Sequence, residues 1–250
     1  MMKIKIFYNN NMKKHDDSAR LLGQALKICA AERGAAADPE NGGCNNACAD
    51  ADDVIRVVRP ARGRPYAENA PWLSFSVTHT GSMWICAAAQ AAAPPLIGID
   101  AEYADRRILR PEKISEKYFS EKEKAYARDR AAAGASAAAA ASTEAGPCTR
   151  APQNGSVVTP APARAPFIKT WTIKEAYLKT LGTGITDDAK NFCALSDTRA
   201  RFIPDEQLAD IERELSAAAG RQLIISLCIM PQPGAQLEDD APELEILQLY

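Results

Sequence analysis

The chain contains no run of about 18 uninterrupted apolar residues, which excludes an ordinary transmembrane helix. Its start, MMKIKIFYNN, has no apolar segment of signal-peptide type. The two absences together set the expectation of a cytoplasmic protein that does not engage a membrane. A basic excess is missing too: 30 basic residues face 32 acidic ones, for a net charge of −2. A general nucleic-acid binder would carry surplus positive charge, so no nucleic-acid partner is expected. Histidine is scarce, with only His15 and His79. The seven cysteines are odd in number, and a cytosolic setting makes free thiols the default. Cys44 and Cys48 form a C-x3-C pair, but no second Cys/His pair follows at zinc-site spacing. Solenoid-type repeats are absent. The rest is ordinary: 25% charged and 46% apolar residues over 250 positions, room for one large domain or two small ones.

Along the chain, KIKIFY (3–8) alternates charged and apolar residues and reads as a strand. Leu21, Leu22, Ala25, Leu26 and Cys29 recur at helical spacing within residues 17–32, with Asp16, Asp17 or Ser18 as cap. Residues 34–53 are rich in Gly, Asn and Asp and read as a loop or insertion. LSFSVTH (73–79) alternates cleanly, and MWICAAA and LIGIDAE follow as two more strands. Three successive strands suggest an antiparallel meander. Residues 111–130 are charged and periodic, hence helical, with Ser120 and Glu123 in capping-box positions. Residues 131–166 are alanine-rich, then proline-rich, and lack large apolar groups to bury. They read as a mobile low-complexity linker. A further helix at 170–182, stopped by Gly182 and Gly184, a strand at 222–229 and an acidic tail at 237–250 complete the pattern.

Four stretches carry residues suited to chemistry. In GIDAE (98–102), strand alternation sends Asp100 and Glu102 to one side. Two carboxylates that close repel by about 4 kcal/mol at an effective dielectric near 20, and a magnesium ion would relieve this. In WTIKEAYLKTLGTG (171–184), Glu175 and Lys179 stand four apart on one helix face. Thr78, His79 and Thr80 close a strand with hydroxyls and an imidazole that suit phosphate oxygens. GRPY (63–66) is a basic turn. Taken singly, each has an ordinary reading: exposed acids at a strand end, a surface ion pair, a polar strand end, an unspecific turn.

In order, GRPY, FSVTHTG, GIDAE and WTIKEAYLKTLGTG resemble the 4′-phosphopantetheinyl transferases, and among them the larger pseudo-dimeric single-chain type related to surfactin synthetase activators. The family's last motif, W-[ST]-x-K-E-[AS]-x-x-K-x-x-G-x-G, is met at Trp171, Thr172, Lys174, Glu175, Ala176, Lys179, Gly182 and Gly184. Ser76 stands where the family's strand end has Asn, and Ala101 where the D-x-E motif has a branched apolar residue.

The resemblance implies an α+β fold of two similar subdomains related by a pseudo-twofold axis, each with a small antiparallel sheet and a long helix. The expected division is residues 1–110 and 111–250, the second carrying the insertion at 131–166. The implied activity moves the 4′-phosphopantetheine arm of coenzyme A to a serine of an apo acyl or peptidyl carrier protein, releasing 3′,5′-ADP. Asp100, Glu102 and Glu175 would bind Mg²⁺. Glu175 and Lys179 would be catalytic. Arg64, Thr78, His79, Lys179 and Lys14 would hold coenzyme A. Trp171 and Lys174 would shape helix and pocket. A monomer is expected, serving fatty-acid, polyketide or nonribosomal-peptide synthesis. Two rival readings use the same residues: a coenzyme A-binding regulator without transfer, and a Mg²⁺-dependent pyrophosphate hydrolase.

Overall fold

The computed structural model describes residues 2–13, 15–36, 54–142, 161–237 and 240–250. The elements run β1 (Lys3–Asn9), α1 (His15–Ala36), β2 (Val57–Val58), β3 (Tyr66–Ala67), β4 (Leu73–Thr80), β5 (Met83–Gln90) and β6 (Leu96–Tyr103). They continue with α2 (Pro111–Tyr118), α3 (Glu121–Ser142), α4 (Ala161–Leu181), β7 (Arg201–Phe202), α5 (Asp205–Ala219), β8 (Leu223–Met230) and β9 (Glu243–Gln248). The architecture is α+β. One sheet has the order β4-β5-β1-β9, a second β6-β8-β7, and β2 pairs with β3.

The meander breaks after β5. Strands β4 and β5 form an antiparallel hairpin, but β6 leaves it and pairs antiparallel with β8. The acidic tail, in turn, contains β9, which runs parallel to β1. The chain thus changes sheets between β5 and β6 and again before β9, so a division at residue 110 does not follow the sheets. Parallel pairing of β9 also makes the first sheet mixed.

Helix α1 lays Leu21, Leu22, Ala25, Leu26 and Cys29 against Phe7, Phe75, Trp84 and Cys86 of the first sheet. It starts at His15, ahead of the expected caps, and Asp17 accepts a bond from the Lys13 amide at 3.0 Å. The opposite face of that sheet shares one apolar cluster with β6, β8 and α5, through Ile4, Ile6, Ile85, Ile97, Ile99, Leu208 and Ile225. This cluster joins the two sheets. Lys5 is buried; it pairs with Glu32 and Glu245 and ties α1 and β9 to β1.

The helix expected at 111–130 is two helices, broken at Phe119 and Ser120. Ser120 and Glu123 do form the capping box: the Ser120 amide donates to Glu123 Oε2 at 2.8 Å, and the Glu123 amide to Ser120 Oγ at 3.4 Å. The supposed linker is shorter than its composition suggested. Residues 131–142 extend α3, because alanine favours helix, and 161–166 open α4. Prolines are tolerated there because the first turn of a helix has no acceptors for its amides; Pro166 lies just beyond it. Residues 143–160, with Cys148, lie outside the described residues, as do Cys44 and Cys48 of the C-x3-C pair and Lys14. No helix among the described residues is long and apolar enough to cross a membrane.

Candidate active site

The two sheets meet along β4 and β6, which lie side by side without a backbone ladder between them. Hydroxyl groups bridge the seam instead. The Ile99 amide donates to Ser76 Oγ at 3.1 Å, Thr78 Oγ1 to Asp100 Oδ1 at 2.8 Å, and Thr80 Oγ1 to Glu102 Oε2 at 2.9 Å. The alternation of LSFSVTHT therefore serves two purposes. One face is apolar, and the other carries hydroxyls that orient the two acids of GIDAE. Thr78, expected at the cofactor, gives its hydroxyl to Asp100.

Helix α4 crosses β6 at Gly98. A side chain there would put Cβ 2.0 Å from the Ala176 carbonyl oxygen and 2.4 Å from Thr180 Oγ1, so only glycine admits the helix. This close approach brings Glu175 and Lys179 over the strand acids. Lys179 Nζ donates to Asp100 Oδ1 at 2.7 Å and to the Ile99 carbonyl at 2.9 Å. Glu102 forms an ion pair with Arg106.

Burial and the nearby charges of Asp100 and Glu102 push Glu175 up to about 7, against the pull of Lys179 and Arg106. Burial also raises Glu102, with Arg106 and Thr80 opposing. Three acids and two cations thus form one cluster. Arg106 was not anticipated, since a four-residue spacing out of a strand end carries no signal.

Lys174 of the same motif turns the other way. It is fully buried and pairs with the equally buried Glu123 at 3.0 Å, and it also donates to the Phe192 carbonyl. Glu123 accepts from the Ala194 amide at 2.9 Å as well. The pair locks α4 to α3 and to the segment after it. Trp171 packs edge-on to Tyr118, with ring centroids 6.2 Å apart.

Beside Lys179 opens a cavity of about 340 Å³ whose lining includes Ser18, Arg59, Gly63, Arg64, Ser76, Lys179, Gly182 and Gly184. The separate sequence motifs converge here. Gly182 has φ +77° and sits against the GRPY turn, where a Cβ would lie 2.7 Å from Arg64 Cγ. Arg64 is half-buried and donates through Nη2 to the Ile97 carbonyl at 2.9 Å and to Ser74 Oγ at 3.2 Å. Burial lowers its pKa to about 10, which leaves it charged at neutral pH. His79 is exposed at the end of β4, on the same strand face as Val77, which lines the cavity.

Among the described residues no group of three His, Cys, Asp or Glu side chains is drawn close enough to be a formed metal cage. The donor set nonetheless suits a hard cation. Asp100 Oδ2 is buried and has no hydrogen-bond partner among the described residues, and carboxylate oxygens are the ligands magnesium takes. The described cysteines, Cys29, Cys86, Cys193 and Cys228, are free thiols. Burial raises Cys29 and Cys228 to about 12, which makes them poor nucleophiles.

No curated protein matches the chain. The family model for the 4′-phosphopantetheinyl transferase superfamily matches residues 96–228, from the first residue of β6 into β8. That span is just over half of the 250 residues, and it holds Asp100, Glu102, Arg106, Glu123, Lys174, Glu175 and Lys179. The chain belongs to the 4′-phosphopantetheinyl transferase superfamily.

Proposed function

We propose that the chain transfers the phosphopantetheine arm of coenzyme A to a serine of an apo carrier protein, with 3′,5′-ADP as the other product. The observation that carries this reading is the cluster of Asp100, Glu102, Glu175 and Lys179 beside a cavity lined by Arg64, Lys179 and three glycines. The serine oxygen attacks the β-phosphorus, the bond to the α-phosphate oxygen breaks, and 3′,5′-ADP takes the bonding electrons. Such a step needs in-line alignment and stabilised charge more than covalent chemistry.

Glu175 is the base that accepts the serine proton. A pKa of about 7 lets it be deprotonated yet basic enough to act near neutral pH. Lys179, at the mouth of the cavity, stabilises charge building on the pyrophosphate. Arg64 supplies a fixed positive charge for the coenzyme A phosphates, with His79 at the rim. Asp100, Glu102 and Glu175 would hold Mg²⁺; once bound, the ion would offset pyrophosphate charge. Thr78 and Thr80 orient the two strand acids. Lys14 remains a candidate for a coenzyme A phosphate on sequence grounds alone. One long helix on one small sheet at each side of the seam supports the expected pseudo-twofold arrangement.

The test is incubation of the purified chain with Mg²⁺, coenzyme A and a panel of apo carrier proteins of the acyl and peptidyl types. The expected outcome is a carrier whose mass grows by one phosphopantetheine. Coenzyme A cleavage without any carrier would favour the hydrolase reading. Coenzyme A binding with neither cleavage nor transfer would favour the regulator.

A further inference from the structure

The two strand acids differ in what already engages their oxygens. Asp100 accepts at Oδ1 from Thr78 and Lys179, while its buried Oδ2 has no hydrogen-bond partner among the described residues. Glu102 has no such spare oxygen. Its Oε2 accepts from Thr80 at 2.9 Å, and its Oε1 from the Arg106 guanidinium. Its side chain is only 11% exposed, so that guanidinium is the counter-charge this acid has in hand. A hard cation binds carboxylate oxygens. At Asp100 it finds one open, and at Glu102 it meets a cation already in place.

The two cations of the cluster are also held differently. Lys179 donates both to Asp100 and to the Ile99 carbonyl, and its side chain is 27% exposed. Arg106 stands in the loop between β6 and α2, and its side chain is 53% exposed. Among the described residues its ion pair is with Glu102. It also borders a cleft of about 290 Å³ alongside Phe167 and Trp171, which leaves the guanidinium room to swing aside. Charge balance favours the same choice. Three ionised carboxylates against two cations leave the cluster with one negative charge in excess. A divalent ion would turn that into a positive excess if both cations stayed, and would balance it if Arg106 left.

We infer that Arg106 is a displaceable counter-ion of the acidic cluster. It occupies the Glu102 oxygen that a divalent cation takes, moves aside when the ion enters, and so sets how tightly the cluster holds that ion. Thr80 has the opposite role on the same carboxylate, because its neutral hydroxyl fixes Glu102 without competing for charge. The inference rests on the assignment of Mg²⁺ to Asp100, Glu102 and Glu175 given above, and is independent of whether the chain transfers anything to a carrier.

The test is calorimetric titration of the full-length chain with Mg²⁺ alone, comparing Arg106→Gln, Arg107→Gln and Thr80→Val with the unaltered chain. Thermal melts with and without the ion accompany it. Arg107 carries the same charge one residue on and is exposed, so its variant measures the general field. Arg106→Gln should bind Mg²⁺ about three- to tenfold more tightly, and Arg107→Gln should change affinity by less than about twofold. Thr80→Val should bind about tenfold more weakly. Without the ion, Arg106→Gln should melt below the unaltered chain, and saturating Mg²⁺ should raise its melting temperature by more. A Mg²⁺ affinity that is unchanged or weakened in Arg106→Gln overturns the inference and makes Arg106 a support of Glu102, like Thr80. An equal gain in Arg107→Gln also overturns it, since competition at Glu102 would then play no part. If none of the four chains binds Mg²⁺, the metal assignment fails and this inference falls with it. A chain that binds Mg²⁺ as expected but modifies no carrier would sink the transfer reading and leave the role of Arg106 standing.

Discussion

Helices α1 and α4 each lie across a sheet and each bury apolar side chains, in α4 Ile168, Ile173, Ala176, Tyr177 and Leu178, but α4 buries polar ones as well. α1 turns an apolar stripe inward, Leu21, Leu22, Ala25, Leu26 and Cys29, each no more than 2% exposed. α4 buries Thr170, Thr172, Lys174 and Thr180 completely, and holds Glu175 and Lys179 half-buried over β6. The α1 contact is stabilised by the removal of apolar surface from water. The α4 contact depends in addition on polar groups that must each find a partner, because an unpaired buried charge is costly. One helix keeps the fold together. The other adds to its apolar contact a set of acids and cations gathered at a seam, which is how a site departs from the local rules of its fold.

Variants should separate the two roles. On the proposed transfer mechanism, Asp100→Ala and Glu102→Ala should each reduce transfer by about 10²- to 10⁴-fold with the fold retained, since both would act on charge at the reacting centre. Steady-state rates at saturating Mg²⁺ check this, and near-normal turnover would reduce these acids to strand-end ornaments.

Lys174→Met should destabilise the chain by about 3–5 kcal/mol, because it strands Glu123 in the core. Urea unfolding measures it, and a loss below about 1 kcal/mol would show that water reaches the pair. Leu26→Ala in α1 should cost about 2–5 kcal/mol by leaving a cavity, yet leave the coenzyme A KM unchanged. A large kinetic effect from that helix would blur the comparison.

Glu175→Gln should stabilise the metal-free chain. The folded state raises this carboxyl from its ordinary 4.5 to about 7, so folding holds its proton more tightly than the unfolded chain does. The penalty is absent below about 4.5, grows as pH rises, and is complete above about 7. The variant should therefore gain on the order of 2–3 kcal/mol at pH 8 and nothing at pH 4, with melts at both pH values as the check. The smallest expected effect is at the α3 cap, where Ser120→Ala should cost about 1 kcal/mol.

Legibility in the sequence followed the same division. The stripe of α1 and the alternation of β4 stand out because apolar side chains repeat at the period of their element, and β5 and β6 stand out as short strand-like runs bounded by turns. The sheet change between β5 and β6, and the return of β9 to β1, depend on long-range packing that no local pattern records. The motif residues Asp100, Glu102, Glu175 and Lys179 were readable as a set, and the fold brings them together. Their supports were not. Gly98 matters because a helix backbone passes 2.0 Å from where its Cβ would be, and Glu123 because it meets a lysine 51 residues away. Arg106 lies in the loop after β6, where spacing says nothing about direction.

The central claim is that Glu175 and Lys179 act at a reacting phosphate and are more than partners in an ion-pair network. The measurement is initial transfer rate against coenzyme A concentration for Glu175→Gln and Lys179→Met, each confirmed as folded by a thermal melt. Glu175→Gln should nearly abolish turnover, since the proposed base and anionic ligand would both be lost. Lys179→Met should lower turnover and weaken coenzyme A together. Two folded variants with unaltered kinetics would contradict the account and leave α4 an ordinary helix on a sheet.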